Sequence, residues 1–136
     1  MCSSDLKLYR RYREQIDFYA IYIREAHPSD GWRMDFNERF NILIEQPKTQ
    51  EKRNELAGTC GASLGFTMPM LVDEMDDRVN RAYSGFPDRL YLIDREGKVA
   101  YKGGRGPFGY KPRELEQTIL MMLLDEQMQE AKRGEK

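Results

Sequence analysis

The run FYAIYIREAHPSDGW, residues 18–32, constrains this chain more than any other stretch. Phe18, Tyr19, Ile21, Tyr22 and Ile23 make an almost unbroken apolar and aromatic series. It predicts a strand over 18–23, buried on both faces as at the centre of a parallel sheet. The character then changes at Glu25 and His27, the only histidine in the chain. Pro28, Ser29, Asp30 and Gly31 supply turn chemistry before Trp32. In open α/β sheets, ligands bind beyond the carboxyl ends of the strands. A carboxylate and an imidazole at that point form a candidate site, and His27 is the one side chain that ordinarily titrates near neutrality.

The rest of the chain arranges itself around this strand. Residues 5–15 predict a helix with Leu8, Tyr9 and Tyr12 on one face and Ser4 or Asp5 as its cap. Residues 24–48 make a connection of a length usually tied to function; within it Phe40, Ile42, Leu43 and Ile44 form a short strand or a packed loop. Thr49 opens a second helix, where Leu56, Cys60 and Leu64 share a face and Gly65 ends the run. Pro69 leads into a short buried strand at 70–72, and a brief helix over 76–83 follows. Strands at 89–93 and 98–102 form a hairpin with glycine in its turn. A glycine- and proline-dense loop at 103–112 precedes a last helix over 113–131, with Leu115, Ile119, Met122 and Leu123 as its core stripe.

That order predicts a single α/β domain over 1–136. It is the thioredoxin order lacking its first strand and the start of its first helix, so the chain reads as incomplete at its start. On the same analogy Pro69 is a structural cis-proline candidate.

Composition narrows the function. With 22 basic and 23 acidic residues interleaved, the chain lacks the one-sided basic excess of a nucleic-acid binder. No run approaches the roughly 18 apolar residues of a membrane span, and no signal peptide is visible. Two cysteines, Cys2 and Cys60, make no disulfide framework and fit a reducing, cytoplasmic setting. Asp73, Glu74, Asp76 and Asp77 have no His or Cys nearby to complete a metal site, and read as a helix cap with a solvated face. The glycines of 103–109 lack the pattern of a phosphate loop. Trp32 and Phe108 read as packing residues, and Cys60 as a small buried hydrophobe or, alternatively, a resolving cysteine.

Four blocks carry a family resemblance: YIREAHPSDGW at 22–32, PMLVDEMDDRVNRAY at 69–83, PDRLYLID at 87–94 and YKGGRGPFGYKPRELE at 101–116. Together they resemble the iodothyronine deiodinase family, and its bacterial members in particular. The resemblance implies a thioredoxin-like fold and reductive chemistry at a selenocysteine or cysteine. It also implies a small-molecule substrate, an external thiol reductant such as glutathione or thioredoxin, no bound cofactor or metal, and a homodimer, although no apolar patch in the sequence marks an interface. By the same resemblance Glu25 and His27 serve substrate binding and proton handling. Asp88 stands where the family has Glu, and Arg105 meets an anionic group of the substrate, for which a guanidinium fork is suited.

The nucleophile is expected at the N-terminus of the first helix, where the helix dipole lowers a thiol pKa. Cys2 falls about two turns too late for that role by the family's spacing, so the chain is expected to be inactive as it stands. Two other readings use the same fold: a peroxiredoxin-like or general thiol reductase, and a redox-inactive interaction domain. Fold alone does not choose among them.

Overall fold

The computed structural model describes residues 2–26 and 45–135. It is a mixed α/β structure that divides into two compact units, Met1–Pro87 and Asp88–Lys136. His27, Trp32 and the apolar piece Phe40–Ile44 lie outside the described residues.

In the first unit, helix α1 (Cys2–Tyr12) runs about a turn ahead of the predicted span, so Ser4 and Asp5 sit inside it rather than capping it. Leu8 and Tyr12 are buried, as their spacing requires. Tyr9 meets Phe18 edge to face at 5.8 Å, which fixes the return of the chain into the sheet. Strand β1 (Ala20–Tyr22) pairs in parallel with β2 (Met70–Val72), in the register Ala20↔Met70, Ile21↔Leu71, Tyr22↔Val72.

Burial of β1 on both faces is not what forms. Side chains alternate along a strand, and helix α2 (Gln50–Ser63) covers the face carrying Met70, whose Cε would lie 3.3 Å from a Cβ on Gly61. Ile21 and Leu71 point the other way and are 42% and 51% exposed.

Helix α2 begins and ends where its sequence says. Thr49 accepts from the Lys52 N–H at 3.2 Å, an N-cap. At the other end Gly65 takes φ +61°, with Phe66 N donating to Gly61 O and Gly65 N to Ala62 O; this is a Schellman closure, and the positive φ is what calls for glycine. The buried face differs from the predicted one. Arg53 and Ala57 are buried, whereas Leu64 is exposed and Cys60 half-buried. The helix is turned by Arg53, whose guanidinium reaches across to the end of β2. There Nη1 donates to the carbonyls of Asp73 and Glu74 and to Asp77 Oδ1, the last at 3.0 Å.

Asp73 itself is 1% exposed. Its carboxylate accepts from the N–H groups of Glu74, Val79 and Asn80 at 2.8–2.9 Å. The last two bonds satisfy the orphan amides at the start of α3 (Arg78–Tyr83), so Asp73 caps from a distance while Asp77, at φ 54°, makes no side-chain cap. The acidic cluster is thus a cap as expected, but its first member is core rather than solvated. Among the described residues no group of His, Cys, Asp and Glu could hold a metal.

Met68–Pro69 is not among the cis peptides, which are Phe86–Pro87 and Gly106–Pro107. The expectation at Pro69 is therefore corrected. Pro69 enters β2 as ordinary extended chain, its carbonyl accepting from Ala20 N at 2.9 Å, and trans is the default for such a bond.

The second unit is a hairpin with a helix. Strands β3 (Tyr91–Ile93) and β4 (Val99–Lys102) pair antiparallel, with an irregularity between Leu92 and Ile93. Asp94 organises the turn, its Oδ1 accepting from Glu96 N and Lys98 N, with Gly97 at φ 80°. Helix α4 (Pro112–Gly134) packs on the hairpin through Leu115 and Ile119, with Met122 and Leu123 half-buried. Its core stripe is the predicted one.

Replacing Arg53 with Met is expected to cost about 2–4 kcal/mol, since it strands buried carbonyls and Asp77 together. Urea unfolding followed by circular dichroism measures this, and a cost below the low end of that range would show that Arg53 is replaceable at the node.

Candidate functional site

The end of β1 is where the sequence placed a site, and Glu25 is there. Tyr22, the last residue of the strand, donates its hydroxyl to Glu25 Oε1. The backbone of Glu25 is held separately. Its N–H donates to Gln46 Oε1 at 3.0 Å, and its carbonyl accepts from Gln46 Nε2 at 3.1 Å. One side-chain amide thus takes the place of a neighbouring strand, joining the two ends of the connection that contains His27. Gln46 precedes the buried Pro47 and was not singled out in the sequence. Nothing marked it, because a Gln that mimics a backbone partner carries no spacing pattern.

Burial raises the pKa of Glu25 above its ordinary 4.5. The group is a carboxyl at a strand end, hydrogen-bonded to a phenol and biased toward keeping its proton. Arg24 lies over the Phe86 ring at 5.0 Å, a cation–π contact.

Asp88 and Arg105 belong to the second unit, and the structure brings their backbones together. Gly103 N donates to Leu90 O at 2.8 Å and Gly106 N to Asp88 O at 3.1 Å, so the glycine loop folds back along the approach to β3. Within it Gly109 N donates to Arg105 O at 2.8 Å, which makes 105–109 a closed turn. A Cβ on Gly104 would lie 3.0 Å from Gly109 Cα, and one on Gly106 would overlap the Asp88 carboxylate. These two glycines are needed for close approach.

The Asp88 Oδ2 is buried and has no hydrogen-bond partner among the described residues. Burial raises its pKa above 3.8. Arg105 is exposed at the turn. Phe108 is 94% exposed, which corrects its reading as a packing residue: the closed turn points it outward. Cys60 is half-buried in α2, and Cys2 is the first residue of α1.

Glu25 stands beyond the end of a parallel strand, the place where open α/β sheets bind ligands. Comparison with known sequences makes this specific. The iodothyronine deiodinase family model matches residues 3–122. Thyroxine 5-deiodinase of Gallus gallus is 40% identical over 104 residues, covering 73% of this chain and 36% of that protein. Type II iodothyronine deiodinase of Homo sapiens is 33% identical over 117 residues, covering 80% and 40% respectively. Type I iodothyronine deiodinase of Xenopus laevis is 33% identical over 112 residues, covering 80% and 41%. The chain belongs to the iodothyronine deiodinase family.

It spans about two-fifths of the length of these relatives. They are vertebrate proteins, so they lend nothing to the bacterial likeness. They also overturn the cytoplasmic setting, since deiodinases are membrane proteins. No helix among the described residues is long and apolar enough to cross a membrane.

Two measurements test the site. A raised carboxyl pKa means the folded state binds more protons than the unfolded state above pH 4.5, so Glu25 lowers stability as pH rises from there through its folded pKa. Glu25→Gln, which keeps an acceptor for Tyr22, is expected to flatten that fall in urea titrations between about pH 4 and 8; parallel curves for the two proteins would show that Glu25 is not the group. Gly106→Ala is expected to cost about 1–3 kcal/mol by overpacking. The cost should shrink in an Asp88→Ala background, and an additive double-mutant cycle would place the clash elsewhere.

Proposed function

We propose that this chain carries the substrate- and proton-handling part of a reductive deiodinase built on a thioredoxin-like frame. Family membership over residues 3–122 carries the reading. The element order supports the frame: parallel β1–β2 joined through a helix, then an antiparallel hairpin and a final helix.

In this reading a thiolate or selenolate attacks the iodine of an iodinated phenol, and the carbon–iodine bond breaks. The aryl carbon keeps the bonding pair and takes a proton, and the nucleophile carries the iodine. An external thiol then displaces iodide from that adduct, forming a mixed sulfide bond with the nucleophile and releasing a proton. A second thiol, or the partner thiol of the same reductant, attacks that bond, so that the two reductant sulfurs leave as disulfide and the nucleophile is regenerated. His27 supplies or relays the proton. Glu25, held in place by Gln46 and Tyr22, keeps a proton available at the strand end. Arg105 receives the anionic group of the substrate. Neither Cys2 nor Cys60 is assigned as the nucleophile.

The test separates binding from turnover. An iodinated phenol bearing a carboxylate, titrated calorimetrically, is expected to bind the chain. Arg105→Ala should weaken it by about 10-fold or more, a charge-assisted pair's worth, and leave the affinity of a carboxylate-free iodophenol unchanged. Iodide release with dithiothreitol should be absent from the chain alone. Release that is lost in Cys2→Ser or Cys60→Ser would overturn the assignment of the nucleophile, and equal loss of both ligands in Arg105→Ala would overturn the role of Arg105.

A further inference from the structure

The amino ends of β1 and β2, at the opposite end of β1 from Glu25, enclose a cavity. Helix α1 closes beside them: the N–H groups of Gln15 and Ile16 both donate to Tyr12 O at 2.9 Å, which turns the chain before it enters β1. Pro69 meets that entry from the β2 side, its carbonyl accepting from Ala20 N. Between the turn and Pro69 lies an open cavity of about 290 Å³. That volume stands at the small end of ligand pockets, and suits a small molecule rather than a peptide or a nucleotide.

Its lining combines rings with charge. Tyr9 and Phe18, edge to face at 5.8 Å, make one wall, and Tyr19, 61% exposed, adds a third ring. The charged residues are Arg13, Glu14 and Asp17. Arg13 Nε lies 3.5 Å from Glu14 Oε1, so those two charges offset each other. Asp17 makes no ion pair and no hydrogen bond among the described residues. With one base against two acids, the lining is net negative.

We propose that this cavity binds a small organic cation, an ammonium group on an aromatic or N-methylated body, with Asp17 as its charge partner and Tyr9, Phe18 and Tyr19 against its body. An ammonium is attracted both to a carboxylate and to the π-density of aromatic rings. Three rings beside an unpaired carboxylate supply both attractions. A carboxylate or phosphate ligand fits less well: among the described residues Arg13 is the one base in the lining, and Glu14 stands beside it. A metal ion fits less well too, because the lining offers two carboxylates and no His or Cys. The cavity shares no residue with Glu25, Asp88 or Arg105, so the proposal stands independently of the deiodinase reading.

Phenethylammonium, titrated at neutral pH into the isotope-labelled full chain and followed by amide chemical shifts, tests this. Binding is expected in the millimolar range, as suits a ligand of about nine non-hydrogen atoms. The saturable shifts should centre on residues 9–19 and on Pro69's neighbours. Phenethyl alcohol, which is neutral, and hydrocinnamate, which is an anion, should each bind about five-fold more weakly or not at all. Asp17→Asn should weaken the ammonium about five-fold and leave phenethyl alcohol unchanged. Tyr19→Leu should also weaken the ammonium, and Tyr19→Phe should preserve it. Both positions are exposed, so all three variants are expected to keep the wild-type circular dichroism spectrum. Absence of saturable shifts at these residues, hydrocinnamate binding as tightly as the ammonium, or an Asp17→Asn chain with undiminished ammonium affinity each overturns the proposal.

Discussion

A carboxylate removed from water is costly unless hydrogen bonds replace its hydration, and the first unit is arranged around supplying them at Asp73. Three backbone N–H groups converge on it, while its carbonyl accepts from Gln50 and Arg53 of α2 and its N–H donates to Tyr22 O at 2.8 Å. One residue thus ties β1, β2, α2 and α3 to a single point. Its energetic weight comes less from any one bond than from the cost of leaving a member unpaired. The consequence for the site is direct. Tyr22 is fixed at the same junction, and Tyr22 is the residue that reaches Glu25.

Local chemistry was legible in the sequence wherever a short-range rule decides it. Thr49 and Gly65 bracket α2 because a hydroxyl at the N-cap and a glycine at C′ answer orphan amides and carbonyls nearby in sequence. The Asp94–Gly97 turn and the Leu115–Ile119 stripe were legible for the same reason. Long-range satisfaction was not. Nothing in the spacing of Arg53 announces that it will be buried against residues 73–77, and periodicity instead put Leu56, Cys60 and Leu64 inside. Gln46 carries no sequence signal for a similar cause, since an amide that imitates a strand has no pattern. The apolar run at 18–23 reads as buried on both faces; its hydrophobicity is real, but among the described residues a helix covers the face that Met70 shares, while Ile21 and Leu71 are exposed.

The two carboxyls of interest show how burial and reach separate. Both have pKa values raised by desolvation, yet their surroundings differ. Glu25 has a phenol donor on its carboxyl and a side-chain amide on its backbone. Asp88 has a buried oxygen without a partner among the described residues, under a glycine that cannot carry a Cβ. Glu25 is thus held through its backbone by Gln46, and the loop that carries Arg105 is held to Asp88 through the Gly106 N–H bond and the close approach that glycine permits.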